Sequence, residues 1–487
     1  MQRPYQKKLS NLNLKLILIA SVTVIAIMLL VITWQGNDLT KSQITASIQY
    51  VKEYSLPEGT KPNALLVDTH GNVWITTSDS KNLLSLDPES GDIANFGIRD
   101  NSQPDVVKWN STMVWTMVQD RDGKIWFSGL GTQSIWQLEP GNDTFHLFRS
   151  ESGAPFQMKV AKNGEIWFTT LRGDTIGVIE KFTDGNYKIS SFETGNNTTP
   201  AGIFLQNDSV WTANIDSQKI LQYQVTRENN FVKNIITLQS IPNYNTIVFS
   251  SPTDLLVNNN SVWLTEHGTS FLTRYDLDTG KLVRYPTSQN HFHTTTLPFW
   301  IRGTDHPKIL WFNEHQGNKI GCFDLENKTL TEYSIPSVPK DGYLTYPLNI
   351  SQDPHDEKIL WFSEWNTDKV GMINGHISVP FEIMPSKKEI TLGSNKLDDI
   401  INLEIQGDLN HSNPISLNAS SSITSTAELG NLTVRFASDV VDISHDRQVL
   451  MSLHDGGITP GNYTVGISAS DGYVTKTVFL NLTILNK

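Results

Sequence analysis

Glu266, Glu314 and Glu364 each follow a tryptophan by three residues, at Trp263, Trp311 and Trp361, inside a motif that recurs along the chain. Carboxylates are hard oxygen ligands, and like charges gathered together need a counter-charge. Three of them at equivalent places in consecutive repeats therefore predict a site for a cationic ligand, or for magnesium or calcium. These residues are the expected ligand-binding and metal-binding set. In the four other repeats the same position holds Thr77, Gly129, Thr170 and Asn214, so the site is one-sided. A structural role is the alternative, in which each glutamate pairs with a basic residue of the following strand, Lys319 or Lys369. His267 and His315 come directly after two of the glutamates. Strand alternation points them to the opposite face, as residues packed between repeats.

The elements that must carry these residues are short strands. Tryptophan recurs at Trp74, Trp126, Trp167, Trp211, Trp263, Trp311 and Trp361, with gaps of 41 to 52 residues, the length of one blade or one solenoid turn. Each lies in an alternating run such as Lys124-Ile125-Trp126-Phe127-Ser128, bounded by Gly, Asn or Asp. A second strand such as Lys319-Ile320-Gly321-Cys322-Phe323 follows, the pattern of antiparallel pairs. Nothing between 48 and 380 reads as a long amphipathic helix. Seven units of four short strands predict an all-β fold, a seven-bladed β-propeller over residues 48–384; an open β-solenoid usually has shorter turns. Either 48–56 or 375–383 must supply the strand that completes the seventh blade. Cys322 reads as an inert buried thiol, and Asp276-Leu277-Asp278-Thr279-Gly280 as a hairpin turn.

The N-terminus is a different kind of segment. Leu16 to Trp34 carries no charge and is long enough to cross a bilayer as a helix. Arg3, Lys7, Lys8 and Lys15 precede it, so residues 1–15 are expected in the cytoplasm, 16–34 as a transmembrane signal anchor, 35–47 as a linker and the remainder outside the cell. The formal net charge is −12, and without those four basic residues the outer part carries −16. Such a surface is a poor partner for nucleic acid and suits a cation or a neutral or basic ligand. The one cysteine permits no internal disulfide, and sequons such as Asn142, Asn207 and Asn327 allow surface glycosylation. After residue 384 the tryptophans stop. Met384-Pro385-Ser386-Lys387-Lys388 reads as a linker, and 385–487 as a β-sandwich whose final hairpin, from Gly461-Asn462-Tyr463-Thr464-Val465 onward, resembles immunoglobulin-like modules of microbial surface proteins.

The last two repeats read Trp311-Phe312-Asn313-Glu314 then Asn318-Lys319-Ile320-Gly321, and Trp361-Phe362-Ser363-Glu364 then Asp368-Lys369-Val370-Gly371. Segments such as Glu332-Tyr333-Ser334-Ile335-Pro336 and Glu53-Tyr54-Ser55-Leu56-Pro57 accompany them. This grammar resembles the streptogramin B lyase (virginiamycin B lyase) family of seven-bladed propellers, over roughly residues 48 to 380. The resemblance implies a magnesium-dependent carbon–oxygen lyase that opens the ester of a cyclic depsipeptide, with a histidine just after the proline of an inner strand serving as metal ligand or general base. Here those strands read Pro252-Thr253-Asp254-Leu255, Pro298-Phe299-Trp300-Ile301 and Pro347-Leu348-Asn349-Ile350, with no histidine at that place. His291, His293 or His315 would have to substitute. Two function classes follow: a single-pass cell-membrane protein whose outer propeller binds a small-molecule, glycan or protein ligand without catalysis, or a metal-dependent lyase or lactonase-like enzyme.

Overall fold

The computed structural model describes residues 50–486 apart from 79–81, 99–112, 130, 242–248, 290–292, 305, 340–343, 394, 409–410, 412 and 446. The expected cytoplasmic tail, membrane anchor and linker, and His291, lie outside the described residues. Among those described, no helix is long and apolar enough to cross a membrane.

The repeats fold as seven antiparallel blades of four strands. Their innermost strands are Pro62–Val67, Met117–Gln119, Ala154–Val160, Pro200–Gln206, Pro252–Asn258, Pro298–Arg302 and Ile350–Gln352. Six blades run in chain order from the innermost strand outward. The seventh takes its outermost strand from the start of the ring, where Val51–Ser55 pairs with Lys369–Asn374. Closure thus uses the first of the two candidate segments and hydrogen-bonds the beginning of the ring to its end. The other candidate contributes Phe381–Pro385, which pairs with Asp398–Gly407 in the C-terminal region.

Period-two patterning accounts for the packing between blades. All seven repeat tryptophans are buried. Trp74 and Trp126 donate their indole N–H groups to Asp68 and Asp120 at 2.8 and 2.7 Å, the same acids that accept amides of the preceding turn. The glycine of the Lys-Ile-Gly motif has a steric cause: a Cβ on Gly321 would stand 2.3 Å from the ring of Phe312, and one on Gly371 2.1 Å from Phe362. Two residues after the tryptophan, a hydroxyl or amide reaches the next blade. Thr169 donates to Ala201 O at 2.8 Å, Asn313 to Pro347 O at 2.6 Å and Ser363 to Asn63 O at 2.9 Å.

The C-terminal region forms two sheets. One contains Phe381–Pro385, Asp398–Gly407, Gln448–Asp455 and Leu432–Phe436, with burial alternating along the strands. Met384 and Pro385 therefore end a strand rather than begin a linker, a place where proline's missing N–H is tolerated. The other sheet is continuous with blade six. Val474–Ile484 lies against Thr329–Ser334, from Thr329 opposite Val478 to Tyr333 opposite Val474. Phe479 of that strand enters the propeller core, with its ring 5.1 Å from Tyr285 and 6.1 Å from Phe323. The region is thus built onto the propeller edge rather than joined by a flexible spacer.

Candidate functional site

Each glutamate ends the second strand of its blade, and all three are fully buried. They do not meet: their partner sets share no residue. Among the described residues no three His, Cys, Asp or Glu side chains are grouped so as to hold a metal ion.

Glu266 is saturated by its own blade and the segment before it. Arg284 Nε donates to Oε1 at 2.8 Å and Nη2 to Oε2 at 3.0 Å, Ser250 N reaches Oε2 at 2.8 Å, and Thr273 Oγ1 reaches Oε1 at 2.5 Å. A bidentate guanidinium and two further donors satisfy a buried carboxylate, so Glu266 is a structural ion pair.

Blades six and seven share another design. Glu332 accepts Ser288 N and Oγ at 3.0 and 2.9 Å, with Lys319 Nζ 3.9 Å away. Glu314 lies beside this pair, with the Glu332 carboxyl and Thr296 as its polar neighbours. In blade seven, Glu53 accepts Ser337 N and Oγ at 2.9 and 2.8 Å and Lys369 Nζ at 2.7 Å. Thr367 Oγ1 donates to Glu364 at 2.7 Å. The lysines therefore bind Glu332 and Glu53, and not the glutamates to which the sequence assigned them. Burial, and then the Glu332 carboxyl, hold Glu314 well above the usual carboxylate range, with Lys319 offsetting only part. Burial and then Glu53 push Glu364 up to about 8. Each seam thus holds two acids and one lysine, and the acid that the lysine does not bind is the one whose carboxyl is pushed up.

Strand register explains the motif. Glu314 stands opposite Lys319, and Gly321 opposite Glu332; Glu364 stands opposite Lys369, and Gly371 opposite Glu53. The Trp-Phe-x-Glu, Lys-Ile-Gly and Glu-Tyr segments are three sides of one buried network. Blade five puts Phe271 and Arg284 at the lysine and second-acid positions, so one arginine balances one acid there. Sequence reasoning missed Glu332 and Glu53 as partners. Their signal was the recurrence of Glu-Tyr in every segment that follows this grammar.

The histidines do meet. His267 and His315 are 5.1 Å apart, ring to ring, and Phe299 stacks on His315 at 4.2 Å and lies 4.7 Å from His267. Phe299 also lies 5.7 Å from Trp115 and 6.4 Å from Phe156. Blade six is next to neither blade two nor blade three, so this cluster crosses the axis as an aromatic plug. Burial pushes His267 down to about 4. It also takes His315 well below its ordinary value, helped by His267, so both rings are neutral near pH 7. The residues just after the inner-strand proline are Thr253, Phe299 and Leu348, and Phe299 occupies the plug's centre.

A family model described as a two component regulator propeller matches residues 108–131. Virginiamycin B lyase from Staphylococcus aureus superposes with a TM-score of 0.51 at 22% identity, covering 66% of this chain and 98% of that one. A catalytically inactive histidine-to-alanine variant of it, solved with quinupristin, gives the same values. A streptogramin B lyase structure matches with a TM-score of 0.51 at 23% identity, covering 67% and 97%. The fold is that of the streptogramin B lyases. Their propeller is matched almost end to end, while a third of this chain lies outside the match. A sequence search of curated proteins finds no match.

The carboxyl pairs set a pH dependence. Glu364 titrates at about 8 when folded against 4.5 for an ordinary glutamate, so between these values the folded state holds a proton that the unfolded state has released. Stability contributed by this group is full below about 4.5 and falls as pH rises towards 8. Glu364→Gln, which keeps the shape of the protonated acid, should flatten the decline in melting midpoint over that window. An unchanged slope would exclude Glu364 as the titrating group.

Proposed function

We propose that this chain is a membrane-tethered, extracytoplasmic recognition propeller that binds a small-molecule, glycan or protein ligand without transforming it. The observation that carries this reading is Phe299. It stands where the lyase resemblance calls for a histidine, and it is buried and stacked on His315, with no proton to give or take. The acids that the same resemblance would offer to magnesium are committed to Arg284, or to carboxyl pairs with Lys319 and Lys369. A magnesium-dependent lyase is the second reading, favoured by His267 and His315 lying together beside Phe299. It would need one of these buried imidazoles to act as base. Incubation with quinupristin and magnesium decides between them. The ester is expected to stay closed by chromatography, because elimination would leave the mass unchanged and must be read from retention. A linear product that disappears on His315→Ala would establish the lyase.

The tether rests on the uncharged stretch from Leu16 to Trp34 and the basic residues before it. A spanning helix resists extraction far better than a surface contact. Carbonate-washed membranes should retain the full chain, with protease reaching it only from the outer face. A mature protein starting near residue 37 would show cleavage instead.

A further inference from the structure

In each blade one residue of the innermost strand lies opposite the repeat tryptophan, and only blades three and six place a cation there, Lys159 opposite Trp167 and Arg302 opposite Trp311. These blades face each other across the axis, as Phe156 and Trp300 do at 5.5 Å. Arg302 Nη1 donates to Asp254 at 2.8 Å, and its guanidinium lies 5.4 Å over the Trp300 ring. Asp254 also accepts Ile301 N at 3.0 Å and Leu255 N at 2.9 Å. Lys159 is half-buried within range of both Arg302 and Asp254, and among the described residues it has no hydrogen-bond or ion-pair partner. Two residues earlier, the fully buried Gln157 uses Oε1 to accept Ile203 N and leaves Nε2 without a partner. Burial, and then Arg302, bring Lys159 down to about 8, with Asp254 offsetting only part. Two cations thus share one carboxylate that is already paired with the guanidinium, and the orphan amide donor of Gln157 lies two residues from Lys159. A half-buried ammonium whose nearest carboxylate is already held by a guanidinium is under-compensated.

We propose that the axial channel, beyond its aromatic plug, binds a small oxyanion, a carboxylate or phosphate group, held by Lys159 and Arg302 with Gln157 Nε2 as a further donor. Arg302 Nη1 also donates to Ile301 O at 2.7 Å, which leaves Nε and Nη2 as the two parallel donors to a planar or tetrahedral anion. This deepens the recognition reading above and rests on it: the ligand, or the part of it that enters the channel, carries an anionic group although the protein's net charge is −12.

The test is thermal melting and calorimetric titration of the full-length protein with inorganic phosphate in one arm and acetate in the other, against chloride at matched ionic strength. The midpoint is expected to rise saturably with one of the two oxyanions and not with chloride. Whichever arm responds identifies the anion as phosphate or carboxylate. Lys159→Met should melt normally and bind roughly tenfold or more weakly. Gln157→Leu, which leaves both cations in place, should weaken binding less. No saturable response to either oxyanion, or a response that Lys159→Met leaves intact, would overturn the proposal. Conversion of quinupristin would overturn the recognition reading and leave this titration unaffected, so the two failures are distinguishable.

Discussion

A ring of seven blades closes only if every sheet buries both faces against its neighbours, which leaves the seams dry. Any polar group that enters a seam must then bring its own partner. The repeat follows from that constraint. Tryptophan fills the seam, glycine lets the following phenylalanine lie flat across the next strand, and a hydroxyl or amide two residues on ties one blade to the inner strand of the next. The last seam is the demanding one, because its two sides come from opposite ends of the propeller. Both Val51–Ser55 and Ser363, which donates to Asn63, bridge it.

The glutamates follow the same logic. Their recurrence beside tryptophan resembles a converging site because equivalent positions in a propeller are neighbours around the axis. The side chains instead turn into successive seams, where each acid has a local answer: an arginine in blade five, a second acid with lysine and serine in blades six and seven. A carboxyl pair that keeps one proton avoids burying two full negative charges, at the cost of a group whose ionisation is pushed well above the usual carboxylate range.

Much of this was legible from the sequence. The tryptophan period gave the blade count, and alternation gave the strands. The Glu53-Tyr54 segment announced itself as an outer strand before its partner was known. Less was legible where the fold brings distant segments together. Glu364 meets Glu53 only because the ring closes on itself, and Phe479 enters the blade-six core only because Val474–Ile484 adds to its sheet. Lys159 and Arg302 belong to blades three and six, so no local pattern links them. The Met384-Pro385 segment misled because proline is as acceptable at a strand end as in a linker.

A shared architecture does not by itself carry a shared chemistry, and Phe299 stands where the resemblance implies a histidine. A propeller supplies a rigid ring and an axis, and function resides in the side chains that occupy the axis. Here one stretch of that axis is filled by Trp115, Phe156 and Phe299, and another is flanked by two cations. The most direct test of the claim that the motif glutamates are seam carboxyls rather than metal ligands is the melting midpoint at pH 8 of the native protein and of Glu314→Gln, each in chelator and in millimolar magnesium. A carboxyl pair predicts that Glu314→Gln melts at or above the native protein and that magnesium shifts neither. A metal site would raise the native midpoint, by about 2.7 kcal/mol of stability at a hundredfold excess over Kd, and lose that gain on substitution. That result would contradict the structural assignment.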